Sequence, residues 1–138
     1  MASLEILARE FEERSGLSIT TDLETVELGG SAQLTVYRLV QESLTNIGKY
    51  AEASEVQIRL EDFAHHMTVE VKDNGKGFDV SRVGSASHGL AGMRHRVEAA
   101  GGRLNVASTP GQGASISAVL PKQPAPVVVP ASITPALA

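Results

Sequence analysis

Cysteine is absent from the 138 residues, which excludes a disulfide framework and any thiolate metal site. Tryptophan is absent too, and the three Phe and two Tyr are few, so a core has to be assembled from Leu, Val, Ile and Ala. Positive charge is sparse: 12 Lys and Arg against 16 Asp and Glu give a net charge of −4 and a pI near 5.5. With no dense basic run, a nucleic-acid surface is excluded. No apolar run approaches the roughly 20 residues of a membrane-spanning helix, and the N-terminus lacks the basic-then-apolar order of a signal peptide. A soluble, intracellular chain is expected. Proline is nearly missing before residue 121, where Pro110 stands alone, and the other five follow from Pro121 onward. That shift marks the end of the folded part and the start of a disordered or extended tail.

What is present suffices for one domain, since 42% of the residues are hydrophobic. Ser3 to Glu13 places Leu4, Leu7, Ala8 and Phe11 on one helical face, with Ser3 as a candidate N-cap and Gly16 as the stop. Leu17 and Ile19 alternate with Ser18 and Thr20 as a half-buried strand, and the acidic stretch Thr21 to Gly30 reads as a loop. Tyr37 to Ala51 is a helix with a core stripe of Tyr37, Val40, Leu44, Ile47 and Ala51. Two alternating strands follow, through Val56, Ile58 and Leu60 and through Met67, Val69 and Val71, joined by a hairpin at Glu61 to His65. Val83 to Ser87 is a small-residue loop expected to be mobile. His88 to Ala100 returns to helical spacing and closes at Gly101-Gly102. Strands at Arg103 to Ser108 and Ser115 to Leu120 flank a turn through Pro110.

Chemistry concentrates in two places. On the central helix Arg38, Glu42, Asn46 and Lys49 recur at steps of four, four and three, so they share one line of its surface. An acid, a carboxamide and an ammonium so aligned could hold a metal ion, the phosphates it bridges and a proton acceptor. The plainer reading is a solvated polar face, with Glu42 braced by Arg38 or Lys49. The second place is the glycine-rich half. Gly75-Lys76-Gly77 fails the dinucleotide fingerprint because the third glycine would fall at Val80. Gly84 to Gly89 has the Walker spacing, but Leu90-Ala91 follows where Lys and Ser/Thr are required. Asp73 to Asp79 lacks the oxygen ligands of a calcium loop. What remains is Asp73 at a strand end, able to accept a hydrogen bond from an exocyclic amine, with glycines that let a flat group approach the backbone. Gly89 to Gly92 opens a helix whose free N–H groups favour phosphate. The histidines carry no metal pattern: His65 and His66 fall in the hairpin, and His95 stands seven residues after His88 with no carboxylate pattern.

Taken in order, Glu42…Asn46…Lys49, Asp73-x-Gly75-x-Gly77, Gly89-x-x-Gly92 and Gly111-x-Gly113 resemble the four boxes of the GHKL superfamily of gyrase, Hsp90-type chaperones and histidine kinases. YRLVQESLTNIGKYAEAS and HGLAGMRHRVEAAGG resemble its nitrate-sensor and membrane-fluidity-sensor histidine kinases, over Gln33 to Pro121. The resemblance implies the Bergerat ATP-binding fold, an α/β two-layer sandwich with a mixed sheet and about three helices on one face. It implies Mg²⁺ and ATP as ligands, with Asp73 on the adenine amine and Gly75 and Gly77 shaping that pocket. Asn46 would give an oxygen to Mg²⁺, Lys49 would face the phosphates, and Glu42 would be the proton acceptor. His88, Gly89, Leu90 and Gly92 would edge the lid, with Gly113 in the last box. Tyr50 stands where this branch often has histidine, and Ala114 where threonine commonly follows the last box.

By the same resemblance, residues 1–14 would be a linker helix from a dimerisation and phosphoacceptor domain, 15–121 the catalytic domain and 122–138 the tail. The partners implied are that histidine-bearing domain and a response regulator, with neither nucleic acid nor membrane touching this piece, which would be monomeric alone. The location implied is cytoplasmic, or the cytoplasmic part of a membrane-anchored sensor. A serine-kinase anti-sigma factor, a hydrolytic ATPase with a longer lid and a non-catalytic nucleotide-binding module are the competing readings.

Overall fold

The computed structural model describes residues 2–78 and 89–122. In chain order the elements are α1 (Ala2–Ser15), β1 (Ser18–Leu23), α2 (Gly30–Asn46), a π-helical turn (Ile47–Ala51), β2 (Glu55–Asp62), β3 (His66–Asp73), α3 (Leu90–Ala99), β4 (Arg103–Ser108) and β5 (Ala114–Pro121). The five strands form one mixed sheet in the order β1-β2-β3-β5-β4, with β1 parallel to β2 and every other pair antiparallel. A parallel pair needs a crossover, and α2 with its π turn supplies it. Among the described residues no helix is long and apolar enough to cross a membrane.

The period of two in the strands decides which face is covered. Val56, Ile58 and Leu60 of β2, Met67, Val69 and Val71 of β3, and Ile116, Ala118 and Leu120 of β5 are all buried. Their alternates, such as Gln57, Lys72 and Val119, are exposed. The three helices cover the buried face, so the two-layer α/β sandwich expected from the sequence is the fold of this chain. Asp73 is in step with Met67, Val69 and Val71, so the same alternation delivers its carboxylate to the apolar side.

Several boundaries and packing positions differ from those read in the sequence. α1 starts at Ala2, which puts Ser3 inside the helix and not at its N-cap. Gly16 does end it, at φ 78°, with its N–H bonded to the Glu12 carbonyl at 3.0 Å. Leu4, Leu7 and Ala8 of α1 are buried in the same core as the strands. β1 runs on to Leu23, because register with β2 continues to Leu60, and the acidic loop after it sends Val26 and Leu28 into the core. On α2 the buried residues are Val36, Leu39, Val40, Ser43 and Leu44, with Tyr37 only half-buried. The arc is wider than the stripe read from spacing because α2 meets the sheet, α1 and α3 at once. The hairpin narrows to Phe63–His65, and His66 opens β3 stacked on Phe63 with ring centroids 4.7 Å apart.

Candidate functional site

The winding of α2 changes after Asn46. Residues Ile47–Ala51 form a π turn, a wider winding that recurs at functional sites, and Glu52 leaves it in the left-handed region at φ 51°. Gly48 lies under Phe11 of α1, where a Cβ would sit 3.0 Å from the ring. The wider turn brings Lys49, Tyr50, Ala51 and Glu52, as well as Asn46, to the rim of one cavity.

The opposite wall is the corner that follows β3. The Gly75 N–H donates to Asp73 Oδ1 at 2.8 Å, and the Lys76 N–H donates to the Ala51 carbonyl at 2.8 Å, which docks the corner on the π turn. The glycines are explained by this docking. A Cβ on Gly75 would overlap the Ala51 carbonyl, and one on Gly77 would overlap the Thr109 carbonyl. One on Gly113 would overlap the carbonyl of Asp73 itself. From the sequence, Gly75 and Gly77 are expected to admit a flat ligand; in the structure the space of both Cβ atoms is taken by other stretches of backbone. Ser108 Oγ completes the knot, accepting from the Phe78 N–H at 2.9 Å and donating to the Gly113 carbonyl at 2.8 Å.

Between these walls lies a cavity of about 310 Å³, lined by apolar Ile47, Val71, Leu90 and Ile116, with Asn46, Lys49 and Asp73 as polar members. Asp73 is 6% exposed. Burial raises its carboxyl pKa above the ordinary value, opposed by the N–H groups of Gly75 and Ala114. A largely apolar slot whose wall carries a buried carboxylate together with an amide and ammonium groups suits a planar, amine-bearing ring carrying an anionic tail. Ala114 pairs with Asp73 across the sheet and lines the cavity, whereas Ser115 bonds Glu70 on the outer face.

Of the residues singled out in the sequence, Asn46, Lys49, Asp73, Gly77 and Leu90 line this one cavity. Gly75 and Gly113 brace its corner from behind, and Gly89, at φ 73°, precedes α3. Gly92 and Glu42 are not in the lining. His88 lies outside the described residues, as do the Val83 to Ser87 loop and residues 123–138. Glu42 is not braced by Arg38 or Lys49. Its Oε1 accepts from Arg96 Nη2 of α3 at 2.7 Å, a partner 54 positions away that no local spacing could reveal. Lys76, which pairs with Glu52 at 3.0 Å on the rim, was also passed over, although its place between two site glycines marked it.

The family model described as "Histidine kinase-, DNA gyrase B-, and HSP90-like ATPase" matches residues 31–124. The signal transduction histidine-protein kinase/phosphatase DegS of Brevibacillus brevis is 35% identical over 123 residues, covering 86% of this chain and 31% of DegS. The sensor histidine kinase LiaS of Bacillus subtilis (strain 168) is 31% identical over 115 residues, covering 83% of this chain and 32% of LiaS. This chain therefore spans about a third of the length of the curated relatives it matches. In fold it is similar to the blue-light activated histidine kinase of Erythrobacter litoralis EL346, with a TM-score of 0.76 at 24% identity, covering 88% of this chain and 41% of that one. The chain belongs to the histidine kinase-, DNA gyrase B- and HSP90-like ATPase family.

Proposed function

We propose that this domain binds Mg²⁺-ATP in the cavity between the π turn and the Asp73 corner, as the catalytic part of a histidine kinase. It would offer the γ-phosphate to a histidine on a separate dimerisation domain, from which the phosphoryl group would pass to an aspartate of a response regulator. The observation that carries the reading is that the buried Asp73 and the ridge residues Asn46 and Lys49 line one cavity.

The roles follow from what each side chain offers. Asp73, with Oδ1 engaged by Gly75, would take the adenine amine on its other oxygen. Val71, Ile47 and Ile116 would cover the ring faces. Asn46 would hold Mg²⁺ through its carboxamide oxygen. Among the described residues no group of three His, Asp or Glu could hold an ion, so the metal would arrive with the phosphates and keep its water, as Mg²⁺ prefers. The ion, when bound, neutralises phosphate charge. Lys49 would add a cation, and Gly89 and Leu90 the N–H groups that open α3. Glu42, the family's candidate proton acceptor, stands behind Gly89. With the acceptor histidine on another domain, this piece alone should bind nucleotide and turn it over slowly.

The test is calorimetric titration with ATP, with and without Mg²⁺, followed by labelled ATP and an acceptor hairpin supplied in trans. Mg²⁺-enhanced binding and label on the hairpin histidine are expected. Binding without transfer would reduce the domain to a nucleotide-binding module, and no binding would end the proposal.

A further inference from the structure

Among the described residues, the Glu42–Arg96 pair joins α2 and α3 outside the cavity lining. Arg96 folds back along its own helix, as long helical side chains do, and its guanidinium lies over Gly92, 3.6 and 3.9 Å from where a Cβ would stand. A Cβ on Gly92 would make only ordinary van der Waals contact with the guanidinium. On the far side, Glu42 Oε1 takes the Arg96 Nη2 hydrogen bond at 2.7 Å. While the Glu42 side chain as a whole is 39% exposed, its Oε2 is itself covered and has no hydrogen-bond partner among the described residues. It faces Gly89, where an added Cβ would come within 3.0 Å. A buried carboxylate oxygen without a donor is costly, and a helix pair meant only as a brace would satisfy both oxygens through a guanidinium fork.

From this geometry we infer that Arg96 is a positioning residue for phosphoryl transfer. It holds Glu42 by one oxygen and keeps the other, unengaged, against the Gly89 edge of the cavity. This rests on the kinase reading above. Arg96 is not in the lining of the cavity, so it governs transfer and not binding.

The experiment compares Arg96→Gln, Arg96→Lys and the exchanged pair Glu42→Arg/Arg96→Glu, reading ATP affinity, thermal midpoint and transfer from labelled ATP to an acceptor hairpin in trans. Arg96→Gln should bind ATP within about twofold of the parent and transfer about tenfold more slowly or worse, the size expected of a misplaced catalytic group. Arg96→Lys should recover most of the rate, because the contact uses a single guanidinium nitrogen. The exchanged pair should regain the thermal midpoint but not transfer. Transfer at the parent rate in Arg96→Gln, or its return in the exchanged pair, would overturn the inference. Should the parent chain itself transfer nothing, the kinase reading fails, and the pair is judged by the backbone NMR signal of Gly89. That signal should move in Arg96→Gln and in Glu42→Gln, with the double variant adding nothing further. An unmoved signal overturns the positioning role.

Discussion

The two ends of the cavity are built by different means. At the Asp73 end, three lengths of backbone are locked together through Gly75, Gly77 and Gly113, and each missing Cβ faces a carbonyl that cannot step aside. At the Gly89 end, α2 and α3 are joined by side chains: the Glu42–Arg96 pair, and Ser43 donating to Met93 Sδ at 3.9 Å. On the proposed reading the Asp73 end would recognise the base, and rigidity suits that, because selectivity lies in holding one acceptor still. The Gly89 end would face the phosphates and admit and release the ligand, so contacts that side chains can break suit it.

The sharpest way to break this comparison is to add the same methyl group at both ends. Gly113→Ala combines a φ of +79° with overlap on the Asp73 carbonyl, and the neighbouring backbone has no rotamer to yield. A loss of about 4 kcal/mol in unfolding free energy is expected from αL strain plus overpacking. Gly89→Ala has a similar φ of +73°, but its Cβ meets only the end of the Glu42 side chain. About 1 kcal/mol is expected there. Chemical denaturation of the two variants measures both, and equal losses would erase the distinction between the ends.

Next in size is the loss of the acceptor itself. Asp73→Asn replaces one carboxylate oxygen by a donor facing the adenine amine, which should weaken ATP binding about 100-fold, or ~2.7 kcal/mol, without unfolding the domain. Retained affinity in a calorimetric titration would remove Asp73 from the base site. Smaller again is Asn46→Ala, expected to cost about tenfold in affinity when Mg²⁺ is present and nothing when it is chelated. An equal loss under both conditions would take Asn46 out of the metal site.

The rigid end was also the more legible end in the sequence. The sequence sets Asp73 at a strand end, and Asp73-x-Gly75-x-Gly77 with Gly113 marks the corner, although what Gly75 and Gly77 accommodate is backbone and not ligand. The other end resisted reading for physical reasons. IGKYA carries no local signal for π winding, and within it Gly48 packs under Phe11 from another helix. Arg96 finds Glu42 only once α2 and α3 lie side by side. Val26 and Leu28 sit in a stretch whose acidity hid its burial. In each case the deciding contact joins residues far apart in the chain, where periodicity carries no information.

The smallest effect concerns pH, and there the rigid end works against itself. Burial raises the Asp73 pKa, so the folded domain binds a proton more readily than the unfolded chain at that site. This contribution to stability is fully present below the unfolded carboxyl value and is lost as pH rises through the raised folded one. On the proposed reading nucleotide binding runs the other way, because an ionised carboxylate accepts the adenine amine more strongly than a protonated one. Over the same window ATP affinity should therefore rise as the free domain loses a little stability, and binding within it should release a fraction of a proton. Titration in two buffers of different ionisation enthalpy measures that proton directly, and Asp73→Asn should remove it along with both pH trends. Proton release that persists in the variant would mean another group titrates on binding, and that the corner holds its carboxylate for packing and not for the base.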